Sequence, residues 1–134
     1  MRVLHHLEQS RSFRILWAME ELGLDYEVQY YQRQPNLSAP PALKQIHPLG
    51  KAPILTDQEQ VLAESAAILE YLQESYDEQQ QFRPEDPADK AQYRYWMHYA
   101  EGSLMPLLVM QLVMTTVPKH TPLLIRPVAK KICD

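Results

Sequence analysis

The sequence predicts an α/β domain of order βαβ-ββα on a mixed four-stranded sheet, followed by a helical segment. Three observations predict it. A strand-like run, Val3-Leu4-His5-His6-Leu7, leads into a helical pattern and then a second strand-like run, Tyr26 to Tyr31. Further on, the apolar runs Pro53–Thr56 and Val61–Ala63 flank a polar tip, Asp57 to Gln60, and read as a β-hairpin. A long apolar pattern of helical period then occupies Ala88 to Met114.

Each element has a local reason. The first helix is expected over Phe13 to Leu22, with Ile15, Leu16, Met19 and Leu22 on one face and Gly23 as its stop. Gln32 to Pro41 is polar and proline-bearing, hence a loop, and Ala42 to Ile46 is one helical turn. His47-Pro48-Leu49-Gly50 reads as a turn. Pro53 belongs at a strand's first residue or in a turn, because it cannot donate to a ladder. A cis Ala52-Pro53 bond is the expected way to turn the chain there. Glu64-Ser65 opens the next helix, whose Ala66, Leu69 and Leu72 share a face. Together these elements give the thioredoxin-like order.

From Glu74 to Asp89 the chain is rich in Glu, Asp, Gln and Pro without an apolar period, so a connecting segment over 77–87 separates domains 1–76 and 88–134. Asp86-Pro87 with Asp89 supplies a cap, a proline at the first helical position and an acid in the first turn. In the helix that follows, Trp96, Ala100, Leu104, Leu107 and Leu108 face together, Tyr95, Trp96 and Tyr99 are expected in a core or a subunit face, and Gly102 and Pro106 predict a bend. Leu104 to Val117 is apolar on all sides, which implies partners on all sides. Pro118, Pro122 and Pro127 are expected to break the last stretch.

Composition narrows the function. The 134 residues are 46% hydrophobic, enough for a sizeable core. A net charge of −4 with scattered cations argues against nucleic-acid binding. The single cysteine, Cys133, cannot form an internal disulfide and fits a reducing cytoplasm. Neither a signal peptide nor a membrane span is expected, because Arg2 leads straight into a strand and the apolar run is interrupted by Pro106 and Gln111. His5 and His6 are adjacent on a strand, so they point to opposite faces and are not expected to bind a metal.

The run Gly50-Lys51-Ala52-Pro53, followed by Leu62-Ala63-Glu64-Ser65-Ala66-Ala67-Ile68, closely resembles the N-terminal domain of cytosolic glutathione transferases. The resemblance covers 2–76 strongly and 87–117 more loosely. It implies that the loop before a cis proline, Ala52-Pro53, pairs with the cysteinyl backbone of glutathione. Glu64 and Ser65 would hold the γ-glutamyl end, and Lys51 falls where relatives reach the glycine carboxylate. The family's helical second domain brings the total to roughly 200–220 residues, so the all-helical part is expected to be incomplete.

The loop Glu8 to Arg14 is the second chemical site. It carries no cysteine, which excludes dithiol redox chemistry and the cysteine-type transferases. His5, His6 and Leu7 stand where tyrosine-type relatives place their tyrosine. Ser10, four residues before Arg14, resembles the serine of serine-type members, with Ser12 as the alternative. The role implied is to hold glutathione's sulfur as a thiolate, while helix capping is the structural reading of the same serines. Arg11 is expected to be a solvated surface residue or to steer an anion. Tyr99 and Ser103 would wall the electrophile pocket. The expected function is conjugation of glutathione to electrophiles, or peroxide reduction, in a detoxifying cytoplasmic homodimer without a metal. A non-catalytic binding or scaffold module of the same fold is the alternative.

Overall fold

Strand β1 (Arg2–Leu7) is the strand on which the first unit is assembled. It pairs in parallel with β2 (Tyr26–Tyr31) and antiparallel with β3 (Ile54–Asp57), and β4 (Gln60–Ala63) closes the order β2-β1-β3-β4. This is the mixed four-stranded sheet expected from the sequence. The computed structural model describes residues 1–120. It divides into two units, Met1–Glu85 and Asp86–Asp134.

Alternation along β1 sends side chains to two cores. Leu4 and Leu55 pack with Ile15 and Met19 of α1 (Ser12–Glu21) and with Ile68 and Leu72 of α3 (Ser65–Tyr76). Leu7 and Ile54 pack with Leu43 of α2 (Ala42–Ile46) on a second cluster. Helix α1 ends as its glycine predicts. Gly23, at φ 62°, donates to the Glu20 carbonyl, and Leu24 donates to that of Met19, each at 3.0 Å. Gly50 has the same left-handed backbone, and a Cβ there would in addition stand 2.4 Å from the Lys44 side chain.

Two details differ from the sequence reading. The buried face of α3 is Ser65, Ile68 and Leu72, with Ala66 and Leu69 only half-buried. Asp57 is not part of a polar hairpin tip but the buried last residue of β3, 2% exposed. Its carboxylate accepts hydrogen bonds from the Tyr71 hydroxyl at 3.1 Å and from Tyr76, and Arg2 lies 3.7 Å away with its guanidinium over the Tyr76 ring. A buried charge with those partners is tolerated where a lone one is not. Burial, followed by the bonds to Tyr76 and Asp57, pushes the Tyr71 hydroxyl up to about 12, so it remains a donor.

Residues 77–85 stay with the first unit, where the Asp77 carboxylate accepts the N–H groups of Gln81 (2.9 Å) and Phe82 (2.8 Å). The second unit starts at α4 (Pro87–Tyr99), capped by Asp86, whose side chain accepts from Ala88 and Asp89. The irregularity expected at Gly102 and Pro106 takes the form of a π turn, Ala100–Leu104, before α5 (Met105–His120). Pro106 has no N–H to give the carbonyl four residues back, and a wider turn absorbs that gap. Pro118 does not end α5, because the loss of one N–H weakens a helix without stopping it. Pro122, Pro127 and Cys133 lie outside the described residues. Tyr95 and Trp96 are not core residues here: they are 54% and 59% exposed, and they pack against each other and Tyr99. No helix among the described residues is long and apolar enough to cross a membrane.

Candidate functional site

The sheet order brings three separated stretches to one place. An open cleft of about 110 Å³ is lined by Arg11, Leu49, Lys51, Ala52, Pro53, Ala63, Glu64 and Ser65. The Gly50 turn (φ 58°) and the cis Ala52-Pro53 bond deliver Lys51 and Ala52 just before β3. Strand β4 then ends at Ala63, and α3 starts at Ser65. Arg11 stands at the N-terminus of α1.

Glu64 has an unusual backbone, φ 72° and ψ 119°, a region that L residues rarely occupy. Holding a non-glycine residue there costs roughly 1–3 kcal/mol, and such residues cluster at ligand clamps. Its side chain is exposed and makes no capping bond, and the residue lines the cleft. Ser65, 3% exposed, follows as the first residue of α3, where helix N–H groups favour an anion. The cleft thus offers two cations, a carboxylate and a helix N-terminus within one short groove. That set suits a small extended ligand carrying both signs of charge.

Ser10 and Ser12 flank Arg11 in the chain but are not among the residues that line the cleft. Ser12, the first residue of α1, is fully buried, whereas Ser10 is half-buried. The Ser10 hydroxyl donates to the Leu7 carbonyl at 2.7 Å, contacts Ser12 Oγ at 2.6 Å and accepts the Ser12 N–H at 3.2 Å. The cap position of α1 is Arg11, which makes no side-chain cap bond, so the bond from the Ser12 N–H to Ser10 is a local two-residue turn and not the N2 or N3 bond of a capping serine. Ser12 Oγ in turn meets His6 Nδ1 at 2.9 Å.

The two histidines separate by face. His5, 7% exposed, bonds Tyr31 and Thr56 through its two nitrogens, each at 3.0 Å, and burial lowers its pKa. His6 turns to the α1 side and stacks on Tyr30. Among the described residues no group of three or more potential metal ligands is brought together.

Of the residues singled out in the sequence, Lys51, Ala52, Pro53, Glu64 and Ser65 converge on the cleft. Arg11 and Leu49 join them, and Arg11 lines the cleft instead of lying apart on the surface. Tyr99 ends α4 and Ser103 sits in the π turn, both in the second unit. His6 was missed as a partner of the serines. The signal for it was the strand alternation, which puts His6 on the face that α1 covers.

Comparison with known proteins adds the following. Residues 1–74 match the family described as glutathione S-transferase, N-terminal domain. The chain is 42% identical over 134 residues to glutathione S-transferase 3 of Schizosaccharomyces pombe, covering 100% of this chain and 55% of that protein. A glutathione S-transferase structure from Actinobacillus pleuropneumoniae superposes with a TM-score of 0.77 at 36% identity, over 99% of this chain and 61% of the other. The theta class enzyme from Xanthomonas axonopodis pv. citri, solved with glutathione bound, gives a TM-score of 0.69 at 26% identity, over 90% and 56%. The chain spans just over half the length of the curated relatives it matches.

Proposed function

The chain belongs to the glutathione S-transferase family, and on that premise we propose that its cleft binds glutathione and holds the thiol as a thiolate for transfer to an electrophilic carbon or a peroxide. The observation that carries this is the convergence of Lys51, Ala52, Pro53, Glu64 and Ser65 on one groove. Glutathione is an extended tripeptide with one ammonium and two carboxylates. Glu64 takes the γ-glutamyl ammonium, while the Ser65 hydroxyl and N–H meet the neighbouring α-carboxylate. Lys51, with Arg11 across the cleft, faces the glycine carboxylate. The backbone of Ala52, before Pro53, pairs with the cysteinyl residue.

Ser10 then acts on the sulfur. A free thiol has a pKa of about 8.5 and is mostly protonated at neutral pH. A hydrogen bond to a charged acceptor contributes roughly 1.5–3 kcal/mol, enough to lower that pKa by one or two units. Burial of Ser12 supports Ser10 as the donor, because a fully buried hydroxyl has no path to a ligand. The rest of the reading follows the family: residues 1–76 bind glutathione, 77–87 connect, and 88–134 begin a helical domain in which Tyr99 and Ser103 face the electrophile. A homodimer acting in the cytoplasm without a metal completes it.

Calorimetric titration of glutathione into the chain tests the binding half. Saturable binding that weakens about tenfold in Ser65→Ala, the scale of a lost charged hydrogen bond, is the expected result. No heat of binding, or unchanged affinity in both Glu64→Ala and Ser65→Ala, removes the assignment. A binding module without catalysis is the second reading, favoured by the exposed apolar surface of α5. Glutathione binding without conjugation of an aromatic electrophile by the chain joined to the rest of a transferase second domain selects it.

A further inference from the structure

The Ser10 hydroxyl is already engaged, and the geometry says how it is released. The Leu7 carbonyl can only accept, so the 2.7 Å bond uses the one proton of Ser10. The 2.6 Å contact between the hydroxyls then requires the proton of Ser12, whose N–H reaches the same oxygen at 3.2 Å. With its proton committed, Ser12 Oγ must accept at its 2.9 Å contact with His6, so Nδ1 carries the hydrogen. The protons run one way, from His6 Nδ1 to Ser12, to Ser10, to the Leu7 carbonyl, and donors in such a chain strengthen one another.

A second arrangement is already in place. Ser12 Oγ also lies 3.3 Å from the Leu7 carbonyl. If Ser10 turns its hydroxyl to a ligand, Ser12 can donate to that carbonyl while still accepting from His6. We propose that Ser12 and His6 are positioning residues for Ser10. The Nδ1–H of His6 keeps Ser12 a donor toward Ser10 and the Leu7 carbonyl, which frees the Ser10 proton for the sulfur of a bound thiolate. The proposal rests on the reading of Ser10 given above. Ser12 is buried for this purpose, since it acts on a residue and not on the ligand.

The test compares Ser10→Ala, Ser12→Ala, His6→Phe and His6→Asn by thiolate-absorbance titration of their glutathione complexes. The phenyl ring keeps the stack on Tyr30 but donates nothing, while the asparagine amide puts a donor where Nδ1 stood. Ser12→Ala and His6→Phe should raise the pKa of the bound thiol by about half to one unit, a roughly three- to tenfold smaller acid dissociation constant. His6→Asn should restore the wild-type value, which a merely structural role for the ring does not predict. A shift in Ser10→Ala but in neither Ser12→Ala nor His6→Phe overturns the inference alone. No shift in Ser10→Ala overturns the reading of Ser10 with it. Independently of any ligand, the ¹⁵N spectrum of neutral His6 in the free chain should show the Nδ1–H tautomer; the Nε2–H tautomer sinks the proposal.

Discussion

Glu64 is the residue at which stability and ligand binding are opposed. Its positive φ is a cost that glycine would not bear, and its carboxylate is what the ligand is expected to meet. Glu64→Gly should therefore raise stability by up to about 1 kcal/mol in urea denaturation, while weakening glutathione binding. A variant both less stable and unchanged in affinity would contradict this. His5 makes a pH prediction. Burial favours its neutral form, so its folded pKa lies below the unfolded value of about 6.5. The unfolded chain binds the proton first as pH falls, so stability is full above that value and is lost as pH drops from it toward the folded pKa. The urea midpoint of the wild type should fall more than that of His5→Gln between about pH 7.5 and pH 5.5. Glu64 and Ser65 were legible in the sequence as the start of α3, because that signal is local, while their expected part in ligand binding came from the family resemblance. The link between His6 and Ser12 was not, because it exists only once β1 and α1 are packed.

Among the elements, α3 shows where periodicity runs out. Ala66-Leu69-Leu72 and Ser65-Ile68-Leu72 are both acceptable helical stripes, and counting apolar residues favours the first. The fold buries the second, serine included, because Ser65 sits at the cleft and Ile68 reaches Leu4 and Leu55. Ile68→Ala should cost about 2–5 kcal/mol in chemical denaturation, and half-buried Leu69→Ala distinctly less. Equal losses would mean that the stripe was misjudged. Asp57 escaped for a related reason: its tyrosine partners lie on α3, so nothing beside it in the sequence marks it as interior. The end of α1 was legible down to its glycine, since a left-handed cap is a one-residue signal.

For the whole molecule, the contrast lies between a first unit with two apolar clusters and a second in which none of the residues whose burial is described is buried. Leu107, Leu112 and Val113 are each more than half exposed, on a helix in which Gln111 is the one polar side chain between Met105 and Met114. Exposed strips of this kind drive association. The chain should sediment as more than a monomer at micromolar concentration, and Leu107→Glu with Leu112→Glu should shift it toward smaller species. A monomeric wild type with α5 intact by circular dichroism would refute this. The sequence announced the strip through its apolar run, but a run apolar on nearly all sides gives no preferred face, so it could not say what covers it.

The register of β1 on β3, with His5 opposite Ile54, makes the cleft a product of the folded sheet and not of any one segment. Arg11 comes from one side of that pairing, and Lys51, Glu64 and Ser65 from the other. A ligand held across it has no counterpart site in the unfolded chain, so its binding energy adds to the folding equilibrium by mass action. At about 100 times its dissociation constant, such a ligand stabilises the native state by about 2.7 kcal/mol. The melting temperature of the first unit would then rise and fall with the supply of the ligand, and its resistance to proteolysis with it.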